Sequence, residues 1–456
     1  MIELAPIEIP DFGVETLPDG RLDGDHYAER CRRAYLAAEV DWLVVYADRE
    51  HFANVMYLAG FEPRFEEALL LLGPDDCRIL VTGNECVPFA ATSPLPGLLV
   101  LLAQTMSLLG QSRSEAPRLR DVLSTAGLQP GQSAGLIGWK YLEAEEWEGA
   151  APPAFMPAPY VEAVVQIVGR DNIVDRTTVL LHPETGHRSM IGADEIAVFE
   201  PAASKASRGV WDILSNIRPG DTEHEAARRY LHAGEPFNVH MMLAASSPSE
   251  GPVVGLSSPG NRILSEGDGV TCAIGLRGGL SARAGLISND DEDFVELAKR
   301  YFAGLLRWYE VADIGVRGGD IHQAVTETLA AGGLRSLLNP GHLTGHEEWS
   351  NTPIRAGADD RIRSGMHMQV DVIPAPMPIG RTLNCEDTVV FANAGLRDDI
   401  ARRHPKVWAR IRARREFMID RLGVRIAASV LPLSDTPMCL APLLLQSGSL
   451  LRRISA

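Results

Sequence analysis

The stretch GHLTGHEEWS, residues 341–350, constrains the possible folds more than any other part of this chain. It places two histidines and two glutamates within seven residues, from His342 to Glu348, between a glycine and a tryptophan. This density of metal-ligand and acid–base groups predicts a site that includes His342, His346 and Glu348, because turns joined to rigid elements commonly carry function. The alternative is a polar helix-to-strand turn whose charges face water.

Two acidic stretches downstream, GMHMQVDVIPA and NCEDTVV, are the expected partners of this turn. In the first, alternation places His367, Gln369 and Asp371 on one face of a strand. These groups would line a pocket, and the alternative is an edge strand with one wet face. An acid flanked by two valines is costly to bury without a partner, which favours the pocket. The second stretch contributes Glu386.

Length and charge limit the class of protein. A chain of 456 residues is too long for one ordinary core, so we expect two domains. The formal charge of -17 excludes nucleic acid or an anionic membrane surface as the main partner. The basic run ARRHPKVWARIRARR, residues 401–415, is the local exception, and its helical spacing predicts a solvated helix face that pairs with acidic residues.

The cysteines and the amino terminus predict a cytoplasmic location. Six scattered cysteines without a CxxC pair favour reduced thiols over a disulfide framework. The start MIELAPIEIPDFG lacks the basic end and apolar run of a secretory signal, and no stretch has the length of a membrane span.

The secondary-structure pattern changes near residue 185. Before it, a helix at 26–38 is followed by five strand-like runs, DWLVVYA, HFANVMYLAGF, EALLLL, CRILVTG and LLVLLA, which predict an α/β domain over residues 1–185. After it, a long helical pattern over 191–217 and a capping box, TEHE at 222–225, predict a helical layer. FNVHMML, GVTCAIGL, GGLSARAGLI, GMHMQVDVI and EDTVVFA predict the sheet of a second domain, residues 186–456.

The order of LSEGDGVTCAIG, GHLTGHEEW, SGMHMQVDVIP and CEDTVVF resembles the pita-bread family of methionine aminopeptidase, aminopeptidase P, prolidase and the metal-free creatinase. DWLVVYADREHFANVMYLAGF is similar to the amino-terminal domain of creatinase, prolidase and aminopeptidase P. The resemblance implies an α+β fold: a pita-bread catalytic domain preceded by a creatinase-type α/β domain.

The family's metallopeptidases hold two divalent ions with two aspartates, one histidine and two glutamates. By resemblance, His342 matches the histidine, Asp371 replaces the first glutamate, and Glu386 matches the last glutamate. The two aspartate positions are Ala273 and Ala284, and methyl groups cannot bind metal. The resemblance therefore implies that no metal pair is present, and that any single ion would use His342, Asp371 and Glu386.

Residues next to the lost aspartates offer no replacement. Cys272 adjoins Ala273 and should face the other side of its strand, while Arg283, beside Ala284, would be a poor neighbour for a cation. A further family histidine, which holds the substrate or moves its proton, corresponds to Gly255. His240 is the nearest alternative, and we expect it to be a core histidine with its hydrogen bonds satisfied.

Arg64 is a candidate for substrate binding across a homodimer. In creatinase-like relatives an arginine at a similar distance before the strand reaches the other subunit's site and holds a substrate carboxylate. A guanidinium suits that role because it can bind both carboxylate oxygens. The alternative is a surface arginine paired with Glu66 or Glu67.

Three hypotheses for function remain from the sequence. The first is a metal-independent, creatinase-like hydrolase of a small amidino or amide substrate, in which Glu386 and Asp371 hold the attacking water and His342 or His346 moves a proton. The second is a mononuclear metallohydrolase resembling an aminopeptidase or Xaa-Pro peptidase. The third is a catalytically inactive binding protein that has kept the fold.

Overall fold

The computed structural model describes residues 1–13, 22–149, 151–230 and 232–454. These form two compact units, one of residues 22–189 and one of residues 1–13 with 190–454. The division thus falls after residue 189, whereas the predicted boundary was residue 185. The predicted domain 1–185 also included the first residues of the chain, which belong to the other unit. Strand β1 (Ile2–Pro6) pairs antiparallel with strand β17 (Ser449–Arg453) of that unit. A five-residue strand with so distant a partner has no local signal in the sequence.

The amino-terminal unit contains a six-stranded sheet in the order β5-β4-β3-β2-β6-β7. Strand β2 pairs antiparallel with β3 and parallel with β6. Its elements are α1 (Gly24–Ala38), β2 (Trp42–Ala47), α2 (Ala53–Ala59), β3 (Ala68–Gly73), β4 (Cys77–Thr82), α3 (Cys86–Phe89), β5 (Leu99–Leu102), α4 (Leu119–Ala126), β6 (Ala134–Ile137), α5 (Ala158–Val168), β7 (Ile173–Asp175) and α6 (Thr178–Leu181).

One predicted strand of this unit is wrong. The run HFANVMYLAGF forms helix α2, in which all seven residues are buried. The helix ends at Gly60, whose positive φ of 60° and N–H bond to the Met56 carbonyl close the last turn. A short apolar run that is buried on every side has no periodicity to separate helix from strand.

The carboxy-terminal unit is built on a sheet in the order β12-β13-β15-β10-β9-β8, with β16 beside β15. Its remaining elements are α7 (Ala193–Ser215), α8 (Glu223–Ala227), β8 (Phe237–Ser246), β9 (Gly269–Leu276), β10 (Gly279–Leu286), α9 (Glu292–Val311), α10 (Gly318–Ala331), β11 (Arg335–Ser336), β12 (His342–Leu343), β13 (His367–Val370), β14 (Pro374–Ala375), β15 (Asn384–Phe391), α11 (Ala394–Arg403), α12 (Pro405–Asp420) and β16 (Val430–Pro432).

The strand register defines two chemically different faces of this sheet. Ala273 of β9 lies opposite Ala282 of β10, which lies opposite Glu386 of β15. Directly opposed side chains share a face, so these three residues lie on the same side. The neighbouring Cys272 is on the other side, where it packs in the apolar cluster of α7. One face is thus committed to the core and the other carries the polar groups.

The helical layer follows the predicted pattern with one correction. The capping box forms at the start of α8, where the Thr222 and Glu225 side chains each accept the other's backbone N–H. In the basic run, however, Arg410 and Arg414 are buried rather than solvated, because both pair with the buried carboxylate of Glu200 on α7. Across the ranges that the structure describes, every helix is too short or too polar to cross a membrane.

Candidate active site

The candidate site lies on the polar face of the carboxy-terminal sheet. His342 is the first residue of the short strand β12, and it lies directly opposite Gln369 on β13. Gln369 in turn faces Thr388 on β15, two residues after Glu386. Period-two alternation then places Glu386 on the face that also carries His342 and Gln369. The sheet therefore assembles residues that are far apart in the chain.

Three side chains converge on one point. The ligand atoms of His342, Asp371 and Glu386 all lie within 4.8 Å of one another, and the three residues are buried. His342 Nε2 lies 3.8 Å from Glu386 Oε1 and 3.1 Å from Oε1 of the partly exposed Glu348. The predicted set of His342, Glu348, Asp371 and Glu386 is thus brought together.

The converging atoms lack hydrogen bonds. Among the described residues, His342 Nε2, Asp371 Oδ1 and Glu386 Oε1 are buried and have no hydrogen-bond partner. The 3.1 Å approach of Glu348 to His342 is therefore an ion-pair contact without hydrogen-bond alignment. Buried polar atoms without partners are uncommon, and three of them at one point indicate a ligand-binding position.

Burial and mutual repulsion disturb the ionisation of the site. Burial lowers the pKa of His342, but the carboxylates of Glu348 and then Glu386 outweigh it and raise that pKa to about 10. Burial raises the pKa of Asp371 to about 6. The pKa of Glu386 is raised well above its ordinary value, first by burial and then by the nearby charge of Asp371. The carboxylates around this point therefore favour a positive charge beside them, either a proton on the His342 ring or a bound cation.

The ring of His342 is fixed from two sides. Its Nδ1 lies 3.2 Å from the Leu343 carbonyl oxygen, so Nδ1–H donates there and Nε2 is directed toward the carboxylates. Trp349 stacks on the ring at 4.0 Å between centroids and 18° between planes. The imidazole is thus oriented in advance, with Nε2 as its reactive atom.

His346 and His367 lie against a third element rather than at the point of convergence. Phe199 of α7 contacts the His346 ring edge-on and stacks on the His367 ring, and in both pairs the ring centroids are 5.3 Å apart. His367 Nδ1 lies 3.2 Å from the Thr344 carbonyl oxygen. Burial lowers the pKa of His367 to about 4, so this ring is neutral at physiological pH.

The position of the first lost aspartate is apolar, because Ala273 packs with Met242, Leu280 and Ala282 in a small cluster. Ala284, at the second position, is buried. Arg283 is not a neighbour of the site's polar face. It is buried on the other face, where it donates to Asp387 Oδ1 at 2.7 Å and to the Glu386 backbone carbonyl at 2.7 Å. The prediction that Arg283 would disturb a cation is wrong, because alternation directs it away.

Two other predicted residues differ from expectation. His240 is exposed rather than in the core, although its Nε2 is paired with the Leu256 carbonyl oxygen at 2.7 Å. Arg64, in the amino-terminal unit, is about half exposed and pairs with Glu62 at 3.5 Å rather than with Glu66 or Glu67. Its backbone has a φ of 56°, in the left-handed region that a residue with a Cβ seldom adopts.

Sequence reasoning overlooked three residues of this region: Phe199, Trp349 and Asn384. Asn384 Oδ1 is a further buried atom without a hydrogen-bond partner in the described part of the chain. Its position two residues before Glu386 was the available signal, since alternation puts both on one face. The sequence offered no comparable signal for Phe199, because a phenylalanine in a helix is ordinarily a core residue.

Comparison with known proteins agrees with this architecture. Residues 198–393 match the model of metallopeptidase family M24. The chain is similar to the prolidase from Pyrococcus horikoshii OT3, at 15% identity and a TM-score of 0.62 over 80% of this chain and 95% of that one. It is also similar to the dipeptidase PepE from Mycobacterium ulcerans, at 20% identity and a TM-score of 0.60 over 82% and 95%. Among curated proteins, none matches the sequence.

The chain therefore has the pita-bread fold, as the motifs predicted, and its residues 198–393 resemble the M24 family. The X-Pro aminopeptidase from Thermotoga maritima MSB8 has the same fold, at 15% identity and a TM-score of 0.60 over 80% of this chain and 94% of that one. This family's peptidases are hydrolases of C–N bonds that typically use divalent metals. The chain is thus homologous to hydrolases of that kind.

The remaining donor set fits one divalent cation and not two. One imidazole and two carboxylates are suitable ligands for a borderline or hard ion such as Zn, Co or Mn. The Nδ1–H bond of His342 to a backbone carbonyl is the support that a metal-binding histidine ordinarily has. A second ion has no such set, because Ala273 and Ala284 offer only methyl groups.

Proposed function

We propose that this chain hydrolyses the C–N bond of a small amide or amidino substrate, with a single divalent cation held by His342, Asp371 and Glu386. The observation that carries the proposal is the convergence, within 4.8 Å, of three buried ligand atoms that have no hydrogen-bond partner among the described residues. A protein that no longer binds anything there would retain the cost of these unpaired groups without compensation. This proposal combines the single metal ion of the second hypothesis from the sequence with the substrate class of the first.

A bound cation would act as a Lewis acid at this position and would make water more acidic. The chain's own residues supply the remaining steps. Glu348 is partly exposed and lies at the edge of the site, where its carboxylate can accept a proton from water and deliver it to the leaving nitrogen. Trp349 and the Leu343 carbonyl keep the His342 ring fixed meanwhile.

The substrate would be bound by polar groups around this centre. His367 and Gln369 are buried and lie on the same strand face as Asp371, and the buried His346 lies with His367 against Phe199, so all three offer hydrogen-bonding atoms on this side of the sheet. In the same proposal the chain is a cytoplasmic homodimer in which Arg64 holds a substrate carboxylate in the other subunit's site. The exposed guanidinium and the unusual backbone angle of Arg64 support that role.

The metal-independent hydrolase is a second candidate, and one observation favours it. The raised pKa of His342, about 10, would keep a proton on the buried ring, so that an imidazolium would occupy the position of a cation. In that case His342 itself would give the proton to the leaving nitrogen, and the metal content of the active protein would be negligible.

The test is turnover of a substrate panel by protein prepared with and without Mn, Co or Zn. The panel contains short peptides, including Xaa-Pro dipeptides, simple amides, ureas and amidines. We expect turnover that requires one of the metals and that falls at least 100-fold in His342→Asn and Glu386→Gln. His240→Asn, an exposed histidine, is the matched control and should retain full activity. Turnover that persists in metal-free protein would support the second candidate instead.

A further inference from the structure

Tyr301 is a fully buried side chain of α9 whose hydroxyl lies between two backbone segments of the site. The hydroxyl donates a hydrogen bond to the Val372 carbonyl oxygen at 2.8 Å and accepts one from the Cys385 N–H at 3.0 Å. Val372 follows Asp371 in the chain, and Cys385 precedes Glu386. One hydroxyl group therefore joins the backbones that carry both carboxylates of the candidate cation site.

The hydroxyl lies just beyond the point where the pairing of these backbones stops. The ladder between β13 and β15 ends at Val370, and in the same register Val372 would lie opposite Cys385. Bonded pairs alternate with unbonded pairs along an antiparallel ladder. The Phe391 N–H bonds to the Met366 carbonyl at 2.9 Å, so the alternation makes the position of Val372 and Cys385 a bonded one. A regular sheet would have a direct backbone hydrogen bond here.

The Tyr301 hydroxyl occupies the place of that direct bond. The chain turns away from β15 after Val370, because β14 pairs with β11 in a separate two-stranded sheet. A buried carbonyl and a buried N–H at the point of separation would be costly to leave unpaired, and the hydroxyl satisfies both. Without it, the two backbones could pair these groups only by closing to direct contact.

We propose that Tyr301 is a positioning residue that sets the spacing of the Asp371 and Glu386 carboxylates, and thereby the affinity of the site for a divalent cation. Directly opposed residues of a closed antiparallel pair have Cβ atoms about 4.5–5.5 Å apart. Closure at Val372 and Cys385 would bring Asp371 and Glu386 to that arrangement. The inserted hydroxyl widens the gap, so that an ion can contact both carboxylates. This inference rests on the proposed function, because the cation is part of it.

The experiment uses Tyr301→Phe, which removes only the hydroxyl. The Kd for Zn²⁺ and for Co²⁺ is measured by calorimetry on the metal-free full chain, at a temperature where circular dichroism shows the wild type and the variant to be folded. We expect both Kd values to rise about 10- to 100-fold, as for the loss of other groups that orient metal ligands. The visible absorption of bound Co²⁺ should also change, because it depends on the geometry of the ligands.

Tyr309→Phe is the matched control. Tyr309 is fully buried on the same helix, and its hydroxyl has no hydrogen-bond partner within the described ranges. The control removes the same atom without removing a bond between the two backbones. It should therefore leave both Kd values and the Co²⁺ spectrum as they are in the wild type.

The outcomes separate the inference from the proposed function. A folded Tyr301→Phe with the Kd values and the Co²⁺ spectrum of the wild type would overturn the inference alone, because the hydroxyl would then be only a structural contact. If the variant does not fold, amide hydrogen exchange of the wild type decides: exchange at Cys385 that slows further when Zn²⁺ binds supports the inference, and exchange that Zn²⁺ leaves unchanged overturns it. A wild type that binds neither ion would refute the proposed function, and the inference with it.

Discussion

Replacement of Arg283 by methionine should destabilise the carboxy-terminal unit far more than loss of an ordinary ion pair. Arg283 is buried behind Glu386, and its guanidinium donates to Asp387 Oδ1 at 2.7 Å and to the Ala282 and Glu386 carbonyls at 2.8 and 2.7 Å. Ala282 and Glu386 are a register pair, so this one group joins strands β10 and β15 directly behind the site. Its loss removes the ionic partner of the buried Asp387 carboxylate, which keeps the Met438 N–H. It also removes a donor from four backbone carbonyls, those of Ala282, Glu386, Thr436 and Cys439.

Breaking a buried pair in this way costs about 3–5 kcal/mol of unfolding free energy. The assay is urea unfolding of Arg283→Met, with amide hydrogen exchange to show that the loss is in β10 and β15. Arg64→Met is the control, because the Arg64 side chain is about half exposed and its contact with Glu62 should contribute about 0–1 kcal/mol. A loss below 1 kcal/mol in Arg283→Met would refute the reasoning. If the loss is found, weaker metal binding should accompany it, since the Glu386 backbone is no longer held.

Two further predictions concern the surroundings of the site. The folded pKa of His367, about 4, lies below its ordinary value of 6.5, so the unfolded chain binds more protons between these values and stability falls as pH drops through this window. Between pH 7 and pH 5 the free energy of unfolding should fall by about 2 kcal/mol because of His367. Urea unfolding at these two pH values should show a smaller fall in stability for His367→Gln than for the wild type. An equal fall in both proteins would contradict the prediction. Because Trp349 stacks on His342, Zn binding should change the tryptophan emission of the wild type, and Trp349→Phe should abolish the change while Zn is still bound. If Zn binding changes the emission of Trp349→Phe as much as that of the wild type, Trp349 is not the source of the change.

The central sheet and the converging side chains were predictable because they depend on local alternation. The runs GVTCAIGL and EDTVVFA have the period of strands, and they form β9 and most of β15. The family motifs then indicated which polar residues would meet. His342, Asp371 and Glu386 do so, although the sequence separations between them exceed ten residues.

The remaining features depend on tertiary packing that no local pattern encodes. The buried state of Arg410 and Arg414 depends on Glu200, which is about 200 residues distant in the chain. The stacking of Trp349 on His342 depends on the conformation of the turn between them. The role of Arg283 behind the sheet required the register of β10 and β15. Sequence alone therefore predicted which residues meet at the site, but not what holds them in place.

Metal stoichiometry tests the central claim most directly. Protein freed of metal should be titrated with Mn, Co and Zn by calorimetry, and its metal content should then be measured after gel filtration. A single cation at His342, Asp371 and Glu386 predicts one ion per chain, lost in Glu386→Gln and retained in His240→Asn. Less than a tenth of an equivalent, or two ions per chain, would contradict the account.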